Sequence, residues 1–146
     1  MTDDERRAIE ADCRTLAIQS FVLLDQREWE ALADLYTEDA VFTRPTAPDQ
    51  PIKGRPAILA QYEARPKTKI TRHFVTNVLI DVLGGDKAKA LLYVLLVTGT
   101  TETEAPAFPI AADPVRLVGE FRDDYVLTKD GWRIAKRAGA MIFRIT

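Results

Sequence analysis

The chain has 146 residues, of which 47% are hydrophobic and 29% are charged, and its 20 basic and 22 acidic residues give a net charge of −2. This length and balance predict one globular domain over residues 1–146, with enough apolar residues to bury a core. The charges are mixed along the chain, so no clustered basic face for nucleic acid is expected. No apolar run approaches the roughly 20 residues that a membrane-spanning helix needs.

The N-terminal segment MTDDERRAIEAD is charged from its first few residues onward and does not have the pattern of a secretory signal. The only cysteine, Cys13, lies among apolar residues with helical spacing, which is typical of a buried, unreactive thiol. A cytoplasmic protein without membrane contact is therefore the expectation.

Helical patterns come first in the chain. Apolar residues at spacings of three and four predict a helix over residues 3–24, followed by a short second helix over 27–36. The segment 39–45 is predicted to be a strand that ends at a proline-rich loop. A third helix is predicted over 55–65, where Pro56 suits the first turn.

Strand patterns fill the second half of the chain. Residues 71–83, 87–103, 115–130 and 132–145 read as four long strands, and the Asp130-Gly131 pair indicates a hairpin between the last two. Helices gathered before strands predict an α+β domain, with the helices packed on one face of an antiparallel sheet. If that sheet is curved, its concave side offers a site for a small molecule.

Several kinds of site are excluded by missing motifs. The chain has no glycine-rich phosphate loop, no paired-cysteine metal motif and no Gly-x-Ser-x-Gly turn. It contains one histidine and one cysteine, and no cluster of carboxylates stands out, so a metal site is not expected.

His73, the only histidine, lies near the start of a predicted strand, on one face with Val75, Asn77 and Leu79 if the alternation is regular. It is either a hydrogen-bonded structural residue or a general base. A base needs a partner to orient its ring, and Asp25 is a candidate because it directly follows the apolar segment SFVLL. Asp25 also fits the N-cap of a capping box with Glu28, which spacing alone favours.

Arg137 is the third candidate for the site. Regular alternation in the last strand places it with Arg133, Ala135, Gly139 and Met141, where small neighbours would leave room beside a guanidinium. The alternative is an exposed arginine on a solvated face, which is the more frequent environment for this residue type.

Three segments together, LLDQREWEALADLYTEDAVF, TRHFVTNVLIDV and VLTKDGWRIAKRAGAMIF, resemble the SnoaL-like branch of the nuclear transport factor 2-like superfamily. Within it they are most similar to the scytalone dehydratase and hexachlorocyclohexane dehydrochlorinase type. The resemblance implies a conical α+β barrel, built from a curved, mixed but mostly antiparallel sheet with N-terminal helices over one face. It also implies no metal, no organic cofactor, and a homo-oligomer, either a trimer or a dimer.

The same resemblance assigns roles to the polar residues. Asp25 and His73 stand where members of this type have a proton-abstracting dyad, and Arg137 stands where the dehydrochlorinases have an arginine in the last strand. Ser20 occupies the place of a lysine that some of them carry.

The predicted function is a cofactor-independent lyase, of dehydratase or dehydrohalogenase type, or an isomerase acting on a small apolar organic molecule. His73 would remove a proton from carbon, Asp25 would orient its ring, and Arg137 would stabilise developing negative charge. The expected pocket lining consists of seven aromatic residues: Phe21, Trp29, Phe42, Tyr62, Tyr93, Phe108 and Phe143. Two alternatives stay open, namely a non-catalytic ligand-binding or oligomerisation module and an accessory subunit like those of ring-hydroxylating dioxygenases.

Overall fold

The computed structural model describes residues 1–146, which form three helices and one six-stranded sheet. The elements, in chain order, are α1 (Asp3–Asp25), α2 (Trp29–Ala33), β1 (Tyr36–Thr43), β2 (Ile52–Lys53), α3 (Arg55–Glu63), β3 (Lys69–Val82), β4 (Lys87–Thr100), β5 (Arg116–Thr128) and β6 (Gly131–Ile145).

Helix α1 begins with a capping box in which the Thr2 hydroxyl accepts from the Glu5 backbone and the Glu5 carboxylate accepts from the Thr2 backbone. Its buried side chains recur at helical spacing, as predicted. They are Cys13, Leu16, Ala17, Ser20, Phe21 and Leu24. This stripe packs mainly against β3 and also reaches β4 and β6. The last turn of α1, which ends at Asp25, therefore lies beside the sheet.

The sheet has the strand order β2-β1-β6-β5-β4-β3, and all its neighbours are antiparallel except the parallel pair β1 and β6. The predicted α+β class and the curved, mixed, mostly antiparallel sheet are confirmed. The sheet is open and not a closed barrel, because β2 and β3 are edge strands with no pairing between them. Strand β2 was not predicted, and α2 is shorter than predicted because Tyr36 already belongs to β1.

Bulges in the long strands change which side chains face inward. In β3 one extra residue lies between the pairs Thr76–Tyr93 and Leu79–Leu91, where Asn77 has a φ of 52°. His73 and Val75 therefore face inward, whereas Leu79 is 65% exposed. In β6 the extra residue is Ala135, so Arg137 shares the inner face with Gly139 and Met141 but not with Arg133.

None of the three helices has the length and apolar character that crossing a membrane would require.

Candidate active site

Asp25 and His73 form a hydrogen-bonded pair at the junction of α1 and β3. Oδ1 of Asp25 lies 2.5 Å from Nδ1 of His73, and Oδ2 accepts from the His73 backbone N–H at 2.8 Å. Because β3 is an edge strand, this N–H is available to a group outside the sheet. Thr71 adds a third hydrogen bond, from its hydroxyl to Oδ1 at 2.9 Å. The carboxylate therefore fixes the position of both the ring and the backbone of His73.

The capping-box interpretation of Asp25 is wrong. Asp25 is the last residue of α1, and the N-cap of α2 is Glu28, which makes no side-chain capping bond. The backbone turns sharply between the helices at Arg27, which has a φ of 60°. The Asp25 side chain is consequently directed to β3, where the His73 amide and imidazole satisfy it.

The pair is largely enclosed, with side-chain exposures of 8% for His73 and 11% for Asp25. Burial acts to raise the pKa of the Asp25 carboxyl, but the hydrogen bonds from His73 and Thr71 outweigh burial and hold this pKa below its ordinary value. Asp25 is therefore ionised at neutral pH, as a group that orients and stabilises an imidazolium must be.

His73 lies in the wall of a cavity of about 130 Å³ between α1 and the concave face of the sheet. Its Nδ1 is occupied by Asp25, whereas Nε2 has no hydrogen-bond partner in the chain and is not an enclosed atom. Phe21 packs beside the imidazole, with ring centroids 5.3 Å apart, and fixes its tilt. A neutral ring that donates from Nδ1 to Asp25 leaves the lone pair of Nε2 available to a molecule in this cavity.

Arg137 lies in the same wall, and it is 2% exposed. Asp123 on β5 binds it at two points, accepting from Nε at 2.9 Å and from Nη2 at 2.7 Å. Nη1 donates to the Ser20 hydroxyl on α1, and the Tyr125 hydroxyl donates to Asp123 at 2.6 Å. Arg137 is therefore buried, and the alternative prediction of an exposed arginine on a solvated face is wrong.

This network keeps the Arg137 guanidinium positively charged. Burial acts to lower the pKa of the guanidinium, but the adjacent Asp123 carboxylate outweighs it and raises the pKa well above its ordinary value. The guanidinium also stacks on Phe21, 4.7 Å from the ring centroid. Three of its five N–H groups donate to Asp123 and Ser20, and the hydroxyls of Tyr36 and Tyr125 also lie close to the guanidinium.

Three of the seven predicted aromatic residues, Phe21, Phe42 and Tyr62, line the cavity. The Tyr62 hydroxyl lies 2.9 Å from that of Tyr36, and burial raises the pKa of both, which keeps them neutral. The aliphatic part of the wall comes from α1 and the central strands. It comprises Leu24, Val94, Leu96, Leu117 and Met141.

The other four aromatic residues do not line the cavity, so the prediction was wrong for them. Trp29 stacks on Tyr62, with centroids 6.0 Å apart, but does not itself line the cavity. Tyr93 alternates with buried neighbours on β4 and faces outward. Phe108 lies exposed in the loop between β4 and β5. Phe143 follows a bulge at Ile142 in β6, so it leaves the face of Arg137.

Sequence reasoning missed five polar residues of the site. Asp123, in the segment RDDY, had a usable signal, since an aspartate inside a long strand is uncommon and needs a partner. Thr71 and Tyr125 carried no comparable signal. Arg44 and Arg65 line the cavity as well, and each directly precedes a proline, which holds the backbone extended where β1 or α3 has ended.

Comparisons with known proteins agree with this fold. A provisionally assigned scytalone dehydratase from Novosphingobium aromaticivorans superposes with a TM-score of 0.80, at 21% identity over 98% of this chain and 90% of that one. A hexachlorocyclohexane dehydrochlorinase from Novosphingobium barchaimii gives a TM-score of 0.79, at 20% identity over 98% and 92% of the two chains. A Catenulispora acidiphila protein, in complex with S-DNPA, gives 0.71 at 26% identity over 92% and 94%.

No functionally curated protein has a sequence that matches this chain significantly. The model of the SnoaL-like domain matches residues 5–138, which is nearly the whole chain. The resemblance predicted from the sequence is confirmed. The chain belongs to the SnoaL-like domain family.

Proposed function

We propose that this protein is a cofactor-independent lyase or isomerase that removes a proton from a carbon atom of a small, largely apolar molecule. The observation that carries the proposal is the Asp25–His73 pair, with Nδ1 on the carboxylate, Nε2 without a partner in the chain, and the ring in the wall of a largely apolar cavity. A ring serving only as a structural hydrogen-bond group would have no reason to leave one nitrogen free toward such a space. The dehydratase and dehydrochlorinase names of two proteins of this fold point to the same class of reaction.

The proposed step uses the side chains already described. Nε2 of His73 takes the proton, the electron pair of the C–H bond forms a new double bond, and the leaving group departs with its own bonding pair. Asp25 stabilises the imidazolium that forms, and its hydrogen bonds keep the ring in one tautomer. In an isomerisation, the imidazolium returns the proton to another carbon. General-base catalysis of this kind contributes roughly 10²- to 10⁴-fold.

Arg137 is proposed to stabilise the negative charge that develops on the substrate or on its leaving group. Its positive charge and its position in the cavity wall support this role. Asp123 and Ser20 hold the guanidinium in place before the substrate arrives, which is the condition under which such donors act most strongly.

The test is a reaction that needs only a base in an apolar cavity. A nitrobenzisoxazole opens when its C–H proton is removed; the C–H electron pair forms a nitrile, the N–O bond breaks, and a coloured phenolate appears. The expected result is that the wild type accelerates this opening and that His73→Ala loses the acceleration by about 10²-fold or more. Arg72→Ala, an exposed change next to His73, is the control. Equal rates for the wild type and His73→Ala would contradict the proposal.

A further inference from the structure

Two arginines in the cavity wall have no acidic partner. Arg44 follows β1 and Arg65 follows α3, and neither guanidinium makes an ion pair or a side-chain hydrogen bond within the chain. Nε of Arg44 is fully enclosed and has no hydrogen-bond partner. An enclosed guanidinium donor without an acceptor is costly, so this part of the wall is suited to a ligand that brings hydrogen-bond acceptors.

The cavity wall contains three arginines and no carboxylate, although Asp25 lies close enough to act on Arg65. Of the three, Arg137 is already matched by Asp123. Burial lowers the pKa of Arg65, and the positive charges of Arg27 and Arg44 act in the same direction; the nearby Tyr62 and Asp25 oppose this shift without cancelling it. Arg27 cannot serve a ligand, because its guanidinium already donates to two backbone carbonyls.

Both arginines are held in position by the chain. Arg27 donates to the Arg65 carbonyl at 3.1 Å, which fixes the segment after α3. Pro45, next to Arg44, lies directly against Gly139 of β6, where a methyl group would overlap both Pro45 and Phe121. Both arginines therefore line the cavity from backbone whose position is fixed by neighbouring segments of the chain.

We propose that the molecule bound in this cavity is a small apolar carboxylate, whose anionic group lies between Arg44 and Arg65 while its apolar body faces His73. Guanidinium groups match carboxylate geometry with paired N–H donors. The proposal rests on the proposed function only in taking this cavity as the substrate site. It deepens that function by giving the substrate a carboxylate group, whose binding orients one C–H bond toward Nε2.

The size and lining of the cavity favour a carboxylate over a phosphate. Its volume, about 130 Å³, is on the scale of cavities that take a benzene ring, and most of its wall is apolar. No lysine and no helix N-terminus lines it, both of which are frequent in phosphate sites. A single aromatic or branched aliphatic acid fits these features.

The test compares binding of benzoate with binding of benzamide, which has the same shape and no charge, by calorimetry. The wild type is expected to bind benzoate at least about tenfold more tightly. Arg44→Met and Arg65→Met are each expected to weaken benzoate binding by roughly 10- to 100-fold and to leave benzamide binding nearly unchanged. Arg144→Met, which removes an exposed arginine near the end of β6, is the control for charge and should have no effect.

Two further variants make the result specific. Arg65→Lys keeps the charge but not the paired donors, so an intermediate loss is expected even if a methionine variant does not fold. His73→Asn should retain the preference for benzoate. Absence of benzoate binding, equal binding of both probes, or loss of the preference only in His73→Asn would overturn the proposal. None of these measurements requires catalysis, so a failure of the anion site is distinct from a failure of the base in the benzisoxazole assay.

Discussion

The Asp25 carboxylate holds His73 at two points, accepting one hydrogen bond from its ring and another from its backbone amide. The contact joins the end of α1 to the edge strand β3, and His73 is also part of the cavity wall. One side chain thus serves both the packing of α1 on the sheet and the orientation of the proposed base.

Replacing Asp25 by asparagine should separate these two roles. Asp25→Asn keeps the shape but removes the charge, so it no longer stabilises the imidazolium and no longer selects the ring tautomer. We expect the rate of benzisoxazole opening to fall by about 10²- to 10⁴-fold. Thr71→Val removes only the third hydrogen bond to the carboxylate and should lower the rate by less than about tenfold. Equal effects of the two variants would argue against a dyad.

The lowered pKa of Asp25 predicts a pH dependence of stability. An unfolded aspartate has a pKa of about 3.9, and the folded value lies below it. Asp25 therefore contributes stability that is fully present above the unfolded pKa and is lost as the pH falls through the folded one. The difference in free energy of unfolding between the wild type and Asp25→Asn should be largest above about pH 5 and should shrink below about pH 4. Urea titrations of both proteins across this range measure it, and a pH-independent difference would refute the assignment.

Removing Asp123 should be strongly destabilising. Asp123→Ala leaves the enclosed Arg137 guanidinium without its counter-charge, and breaking such a pair costs about 3–5 kcal/mol. The double variant Asp123→Ala with Arg137→Met removes the stranded charge, so it should recover a large part of that loss. Urea unfolding of the single and double variants measures the coupling. A double variant less stable than Asp123→Ala would show that the charge pair is not the cause.

Gly139 should control the position of Arg44. Gly139→Ala forces Pro45 away from β6, because the new methyl group would overlap it, and Arg44 moves with Pro45. We expect a loss of about 1–3 kcal/mol in the free energy of unfolding and weaker binding of benzoate. Gly85→Ala is the matched control, since nothing lies within 4 Å of its new methyl group. Unchanged benzoate affinity in Gly139→Ala would show that the position of Pro45 and Arg44 does not affect binding of the carboxylate.

The fold was largely predictable because its signals are local. The stripe of α1, the hairpin at Gly131 and the four long strands all follow from spacing and turn chemistry, and the structure has them close to the predicted bounds. The parallel contact between β1 and β6 and the two-residue strand β2 were not predicted. They depend on pairing between distant segments, for which the sequence has no local signal.

The site was predicted in part, and the failures have physical causes. The bulges at Asn77, Ala135 and Ile142 each reverse the alternation of the strand beyond them. Regular alternation therefore misplaced Leu79 and Arg133, and for the same reason it could not decide which aromatic residues, such as Phe143, line the cavity. Asp25 was compatible with a helix cap by spacing, and only the turn at Arg27 directs it to β3 instead.

The unpaired arginines had a different reason to be missed. Most arginines of a soluble chain are exposed, so Arg44 and Arg65 became notable only when the structure placed them in one cavity without a carboxylate in its wall.

The most direct test of the central claim is the tautomer of His73, determined by NMR from long-range couplings between ring protons and ring nitrogens. The chain has one histidine, so one imidazole spin system is observed. At about pH 9, well above the range in which imidazoles ordinarily titrate, we predict that the proton resides on Nδ1 and that Nε2 is unprotonated. We also predict that Asp25→Asn loses this preference. A wild-type ring protonated on Nε2 would contradict the account, because the nitrogen facing the cavity could then not accept a proton.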